Sequence, residues 1–267
     1  MHTLTWICFV LALFVSLTPL VPCYADSKTP SDTPRPFLVI IDPGHGGEDE
    51  GASFNNIKEK HISLSVAQEL EALVSQTPGL KAQLTRSRDV FISLDDRIAK
   101  TRSLNGDMLV SIHVNSSPSH RAKGTEFYFE NQIATDEESL FLANRENSAH
   151  GKDNGSSGGS GSADLSNILN DLARSDHIVK SQLLSEQLLA GFRNVLKVNP
   201  RAIRQAPFRV LSVPIPATLV ELGFVSHPSE SIWMSKYSNQ KLMARALLDG
   251  IKSFKEKLDK SGARPLR

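Results

Sequence analysis

The chain has 267 residues, 40% of them hydrophobic and 22% charged, which suits a soluble globular enzyme with room for one sizeable core. Its formal net charge of +1 gives no support to a nucleic-acid-binding or membrane-surface protein.

The first segment stands apart from the rest. Trp6 to Val21 is almost wholly apolar, and no Lys, Arg, Asp or Glu precedes Asp26. It ends Pro22-Cys23-Tyr24-Ala25, with small residues where a signal peptidase inspects the chain. Residues 1–25 therefore read as a secretory signal peptide cut after Ala25. The apolar run is short for an uncleaved membrane span, and Pro22 disfavours a lipoprotein site at Cys23. Both cysteines, Cys8 and Cys23, lie in this segment. A mature chain cut after Ala25 would then have no thiolate, and its chemistry would have to come from His, Asp, Glu and hydroxyls.

Residues 26–36 are polar and Pro-rich and read as a linker. Phe37 to Ile41 is a buried strand that breaks at Pro43 and Gly44. His61 to Ser75 has helical spacing of its apolar residues. Leu80 to Thr85 reads as a strand, Leu94 to Leu104 as a helix ended by Asn105-Gly106, and Met108 to Val114 as a third buried strand. Gly124 to Glu130 could be a fourth. Ala134 to His150 is helical and acidic at its start, and a Gly/Ser tract, 151–162, follows. Ala163 to Val198 reads as one broken helix or two. Strands are expected again at Phe208 to Val213 and Ala217 to Phe224, and a helix at Asn239 to Leu258 closes the chain. Alternating strands and helices predict an α/β layer fold with helices on both faces of one sheet. Residues 131–200 interrupt it as a helical insertion.

Four residues carry the chemistry. His45 lies among Gly44, Gly46 and Gly47, just past a buried strand, where the backbone can approach a metal. His113 shares a strand face with Ser111 and Asn115, while Ile112 and Val114 take the other. Glu59 sits in a charged turn, where a solvated side chain is the plain alternative. Glu221 stands among Leu219, Val220, Leu222 and Phe224, where a carboxylate is costly unless paired or next to a cation. Two His and one carboxylate make a zinc set with an open fourth position, and a further carboxylate can take a proton. The pattern points to a metal-dependent hydrolase. His61 is the reserve ligand to Glu59; His120, His150, His177 and His227 read as surface residues.

Together these segments resemble the zinc-dependent N-acetylmuramoyl-L-alanine amidases of the amidase_3 family. The resemblance rests on IDPGHGGEDEGA, Glu59-Lys60, LTRSRD followed by LDDR, SIHVN, GTEFYF and LVELGFVSHP, in the family's order. It implies a catalytic domain over residues 37–260 with a mainly parallel twisted sheet flanked by helices. It implies His45, Glu59 and His113 as zinc ligands and Glu221 as the catalytic residue. The implied substrate is peptidoglycan, cut between N-acetylmuramic acid and L-alanine of the stem peptide. The cell-division members suggest a periplasmic enzyme, expected as a monomer, that separates daughter cells. In autoinhibited members the insertion covers the zinc with an acidic side chain. The EESLFLANREN and SNILNDLARSD helices look like that element, with Glu137, Glu138 and Glu146 as candidates and an activator protein as the implied partner. One departure is His227, where relatives commonly have Asn.

Three alternatives stand beside this one. Zinc ligands alone do not separate an amidase from a zinc peptidase acting within the stem peptide. Ser238-Asn239-Gln240-Lys241, with Ser103-Leu104-Asn105 and Lys100-Thr101-Arg102, loosely matches a serine carboxypeptidase. A non-enzymatic wall-binding protein would have no use for Glu221.

Overall fold

The computed structural model describes residues 35–148, 164–193, 195 and 198–262. The segment read as a signal peptide, most of the stretch read as a linker and the Gly/Ser tract lie outside the described residues. Among the described residues, eight strands and six helices follow in chain order. They are β1 (Phe37–Pro43), β2 (Ser53–Phe54), β3 (Ile57–Lys58), α1 (Glu59–Ser75), β4 (Leu80–Leu84), α2 (Leu94–Leu104), β5 (Met108–Asn115) and β6 (Thr125–Glu130). After them come α3 (Glu137–Ser148), α4 (Asp164–Phe192), β7 (Val198–Ala206), β8 (Ala217–Phe224), α5 (Pro228–Ser235) and α6 (Tyr237–Ser261), with a 3₁₀ turn at Arg209–Leu211.

Six strands form one sheet in the order β4-β1-β5-β8-β6-β7. All neighbours are parallel except β6 and β8. This is the α/β sheet the alternation predicts. Side chains alternate across it. Val110, Ile112, Val114, Val220 and Leu222 point into the larger core with α1, α4 and α6. Leu109, Leu219 and Tyr128 point to the other face, under α2, α3 and the 3₁₀ turn. Ser111, His113 and Glu221 share that second face by the two-residue period. The site is thus built on the less apolar side of the sheet.

Helix ends follow their residues. Ser93 accepts a hydrogen bond from the Asp96 N–H at 3.1 Å and starts α2, and Asn105 ends it in the left-handed region at φ 51°. His227 caps α5, with Pro228 in its first turn.

Two expectations differ. Phe208 to Val213 is no strand; Pro207 and Pro214 bracket it, and it folds as the 3₁₀ turn. The strand falls earlier, at β7, which begins where the expected helices end and runs mostly through residues given no element. β7 is an edge strand with buried Ala202, Arg204 and Ala206 and a proline, so it carries no apolar alternation to detect. The helices between β6 and β7 also divide. In α4, Leu184, Leu188 and Phe192 are core residues against the sheet, whereas α3 lies over the opposite face. Among the described residues, no helix is long and apolar enough to cross a membrane.

Candidate metal centre

The centre forms at the C-terminal ends of β1, β5 and β8, where an open α/β sheet places its ligands. His45 follows β1 with φ 58°, a left-handed conformation rare for a residue with a side chain. Two buried guanidinium groups hold it there. Arg97 donates to Pro43 O at 2.6 Å, His45 O at 2.7 Å and Asp42 Oδ1 at 2.7 Å. Arg86 donates to Pro43 O at 3.0 Å and Gly44 O at 2.6 Å. Burial opposes a charge on Asp42, but Arg97 and the hydroxyls of Thr85 and Ser111 hold its carboxyl well below the usual range. His45 Nδ1 pairs with Asp49 Oδ2 at 2.8 Å, which aims Nε2 inward.

Glu59 opens α1 and is fully buried. Its Oε1 accepts from Val114 N and its Oε2 from Ala52 N, each at 2.8 Å. The close approach needs glycines. A Cβ on Gly44 would lie 2.4 Å from His113 Cε1, and one on Gly51 would lie 2.6 Å from Glu59 Oε2.

The ligand atoms converge. Glu59 Oε1 is 3.1 Å from His45 Nε2 and 3.0 Å from His113 Nδ1. Glu146, from the last turn of α3, is a fourth donor: its Oε2 lies 3.3 Å from each of the same two nitrogens. Atoms about 2.0–2.1 Å from a tetrahedral zinc stand about 3.3 Å from one another. The contacts match those edges. Although short, they are not aligned as hydrogen bonds at His113 Nδ1 or Glu146 Oε2, both buried. His45, Glu59 and His113 thus each offer one ligand atom to a cluster that could hold a metal ion. Two nitrogens and two oxygens in that arrangement fit zinc and leave too few oxygens for magnesium or calcium.

Glu221 lies beside this set. It is opposite His113 on β5 and opposite Glu126 on β6. One carboxylate oxygen lies within 4.8 Å of donor atoms of His113 and Glu146. Both its oxygens are buried without a hydrogen bond among the described residues.

Electrostatics divide the acids. Burial would neutralise Glu59, but the charge of His45 and the contact with His113 hold it down at about 2. Burial likewise opposes a charge on Glu146, and His113 and His45 outweigh it, so Glu146 falls well below the usual range. Burial resists protonation of His113, yet Glu146 and Glu59 raise it to about 9. For Glu221, burial and the negative charge of Glu59 act together and push the carboxyl well above the usual range.

The structure therefore brings His45, Glu59, His113 and Glu221 together. It does not bring His61, whose exposed ring lies 3.6 Å from Asp89. Of the three acidic candidates on α3, Glu146 alone reaches the centre; Glu138 pairs with Arg204 at 3.0 Å and Glu137 is exposed. Ser238 is exposed on α6, and Lys241 sits over the Tyr237 ring at 4.7 Å, so the SxxK segment forms no nucleophile–base pair. A cavity of about 480 Å³ beside Arg102, Arg174 and Ile215 contains none of these residues. Sequence reasoning left Asp42, Asp49, Arg86 and Arg97 without roles, although they stand in the quoted IDPGHGGED, LTRSRD and LDDR segments.

The N-acetylmuramoyl-L-alanine amidase family model, Amidase_3, matches residues 39–253. The N-acetylmuramoyl-L-alanine amidase AmiA of Escherichia coli (strain K12) is 33% identical over 224 residues, covering 81% of this chain and 75% of AmiA. AmiC of Escherichia coli O6:H1 is 31% identical over 223 residues, covering 82% of this chain and 53% of AmiC, so the chain spans about half that relative's length. The catalytic domain of CwlV, an N-acetylmuramoyl-L-alanine amidase from Bacillus (Paenibacillus) polymyxa var. colistinus, superposes with a TM-score of 0.56 and 26% identity, covering 82% of this chain and 98% of that one.

Proposed function

The chain belongs to the N-acetylmuramoyl-L-alanine amidase family, Amidase_3, and from that premise we propose that it is a zinc-dependent peptidoglycan hydrolase. It cleaves the amide joining the lactyl group of N-acetylmuramic acid to L-alanine of the stem peptide. Its place is the periplasm, reached through the 1–25 segment, and its task is wall remodelling as daughter cells separate.

The observation that carries the zinc assignment is the set of 3.0–3.3 Å contacts among His45 Nε2, Glu59 Oε1, His113 Nδ1 and Glu146 Oε2. His45, Glu59 and His113 would hold the metal. When bound, zinc supplies Lewis-acid polarisation of the scissile carbonyl. Asp49 orients His45, and the Val114 and Ala52 amides orient Glu59. Glu221 takes a proton from the attacking water as its oxygen bonds to the carbonyl carbon. It then delivers that proton to the departing nitrogen as the C–N bond breaks. Burial, which raises the proton affinity of Glu221, suits a base that must hold a proton between the two steps.

Glu146, whose Oε2 lies 3.3 Å from both histidine nitrogens, would take the remaining position, so that α3 in this arrangement would close the enzyme against substrate. Its other polar ties are few: Arg145 to Ser116 O at 3.2 Å, Arg204 to Glu138, and Asn147 to the backbone near Pro207. A partner protein that binds the displaced form a few kcal/mol more tightly would open it.

Mass analysis of defined muropeptides, digested with and without chelator, tests the assignment. Release of intact stem peptide from N-acetylmuramic acid, lost with chelator and restored by zinc, is expected. Cleavage within the stem peptide would make the enzyme a zinc peptidase, and binding without cleavage a wall-binding protein.

A further inference from the structure

The last turn of α3 fills two positions. Glu146 is at the metal centre, and the next residue, Asn147, reaches the chain that follows edge strand β7. Asn147 Nδ2 donates to Pro207 O at 2.9 Å, and Asn147 Oδ1 accepts from Arg209 N at 2.9 Å. The carbonyl and the N–H belong to residues on either side of Phe208, whose backbone is extended at φ −74° and ψ 115°. A carbonyl and the N–H two residues on are the pair that a strand offers to one residue of a parallel neighbour. A carboxamide, which has one donor and one acceptor side by side, copies what an extended peptide residue would present there.

We propose that Pro207–Arg209 is a peptide-binding edge for the extended stem peptide, and that Asn147 holds its place while α3 is closed. The inference rests on the amidase assignment and adds the substrate contact. Asn147 and Phe208 line the same narrow cavity as His113 and Glu146, so the edge and the metal centre open into one space. Displacing α3 would free both together: the fourth metal position for the scissile carbonyl and the edge for the peptide beyond it. Pairing through the backbone gives affinity, while pockets between the hydrogen bonds select among side chains.

The donor can be removed without a large disturbance. Arg209 is the first residue of the 3₁₀ turn, where proline is tolerated, and extended Phe208 already suits a residue before proline. The parent is the Glu146→Ala, Asn147→Ala variant, in which α3 fills neither position. Arg209→Pro and Arg209→Ala are compared in it; both lose the guanidinium and its 2.8 Å pairing with Asp95, but only the first loses the N–H. Calorimetry uses a soluble muropeptide with an intact stem peptide, with Glu221→Gln added so that nothing turns over. The proline variant should bind about five- to tenfold more weakly than the alanine variant, the loss of one hydrogen bond. In the active background KM should rise by a similar factor, with kcat changed less.

Muropeptides in which single stem-peptide amides are replaced by esters make the complementary test without altering the protein. One ester position should weaken binding several-fold by removing the donor to Pro207 O. Equal affinities for the two variants and for every ester would overturn the edge. Tighter binding by the proline variant would also overturn it, because the segment would then serve only to hold α3. If the parent cleaves no lactyl amide while the proline-to-alanine ratio holds, the amidase assignment fails and the peptide edge stands.

Discussion

Glu146 Oε2 and His113 Nδ1 stand 3.3 Å apart, both buried, without forming a hydrogen bond to each other. Two groups so near and so misaligned are placed by something other than mutual attraction. A tetrahedral cation bound between them would account for the spacing, and it would make Glu146 a ligand that competes with substrate.

Glu146→Ala should therefore raise basal hydrolysis of purified peptidoglycan, because it vacates the fourth position. His45, Glu59 and His113 remain, so zinc content should stay near one per chain by elemental analysis. The point substitution is preferable to deleting 135–175, since Leu142 and Ala143 of α3 are part of the core on that face. Unchanged activity with full zinc would show that α3 does not close the site.

Glu221→Gln should keep the shape and remove the base. Turnover should fall by about two to four orders of magnitude while zinc is retained. Stability should hold or rise, because the buried acid has no hydrogen-bond partner among the described residues and faces the charge of Glu59. A variant that loses zinc or unfolds would make Glu221 a ligand or a structural residue.

Chelation should abolish activity, and added zinc should restore it ahead of magnesium or calcium. Full turnover by protein shown to be metal-free would end the zinc assignment.

Asp42 sets an acid limit on stability. Its folded-state carboxyl is held well below the ordinary value, with Arg97 the main attraction against burial. The unfolded chain therefore takes up this proton first as pH falls. The stabilisation is complete above about pH 5 and is lost progressively as pH drops toward the folded-state value. Asp42→Ala, which leaves Arg97 buried with one partner fewer, should cost about 3–5 kcal/mol at pH 7. Urea unfolding should show the difference between the two proteins shrinking from pH 5 to pH 2.5. A constant difference would mean that the aspartate acts through packing alone.

Much of this was legible in the residues. His113 and Glu221 could be found because each interrupts an apolar strand with a two-residue period, so one polar side chain reports the face that carries the site. His45 was marked by glycines whose purpose is closeness. What escaped depends on contacts that local pattern does not encode. β7 is an edge strand with buried arginine and alanine in place of valine and isoleucine, so its hydropathy resembles a loop. Arg86 and Arg97 act through backbone carbonyls some forty to fifty residues away, and nothing local distinguishes them from surface arginines. Glu146 was one of three acids on its helix until folding turned it inward.

The direction of α3 has a mechanical consequence. Its start is tied to the edge strand: Thr135 N bonds Gln205 O at 2.9 Å, and Arg204 holds Glu138. Its end reaches His113 on β5, three strands inward, about 14 Å at normal strand spacing. The eight residue steps from Glu138 to Glu146 span about 12 Å of helix. The helix therefore lies across the strands as a lever, with its fulcrum on β7 and its tip at the centre. A swing of about 20° about that fulcrum carries the tip about 4 Å, enough to clear a coordination position. The ties to β7 could survive such a swing, so the closed form would need no refolding to return.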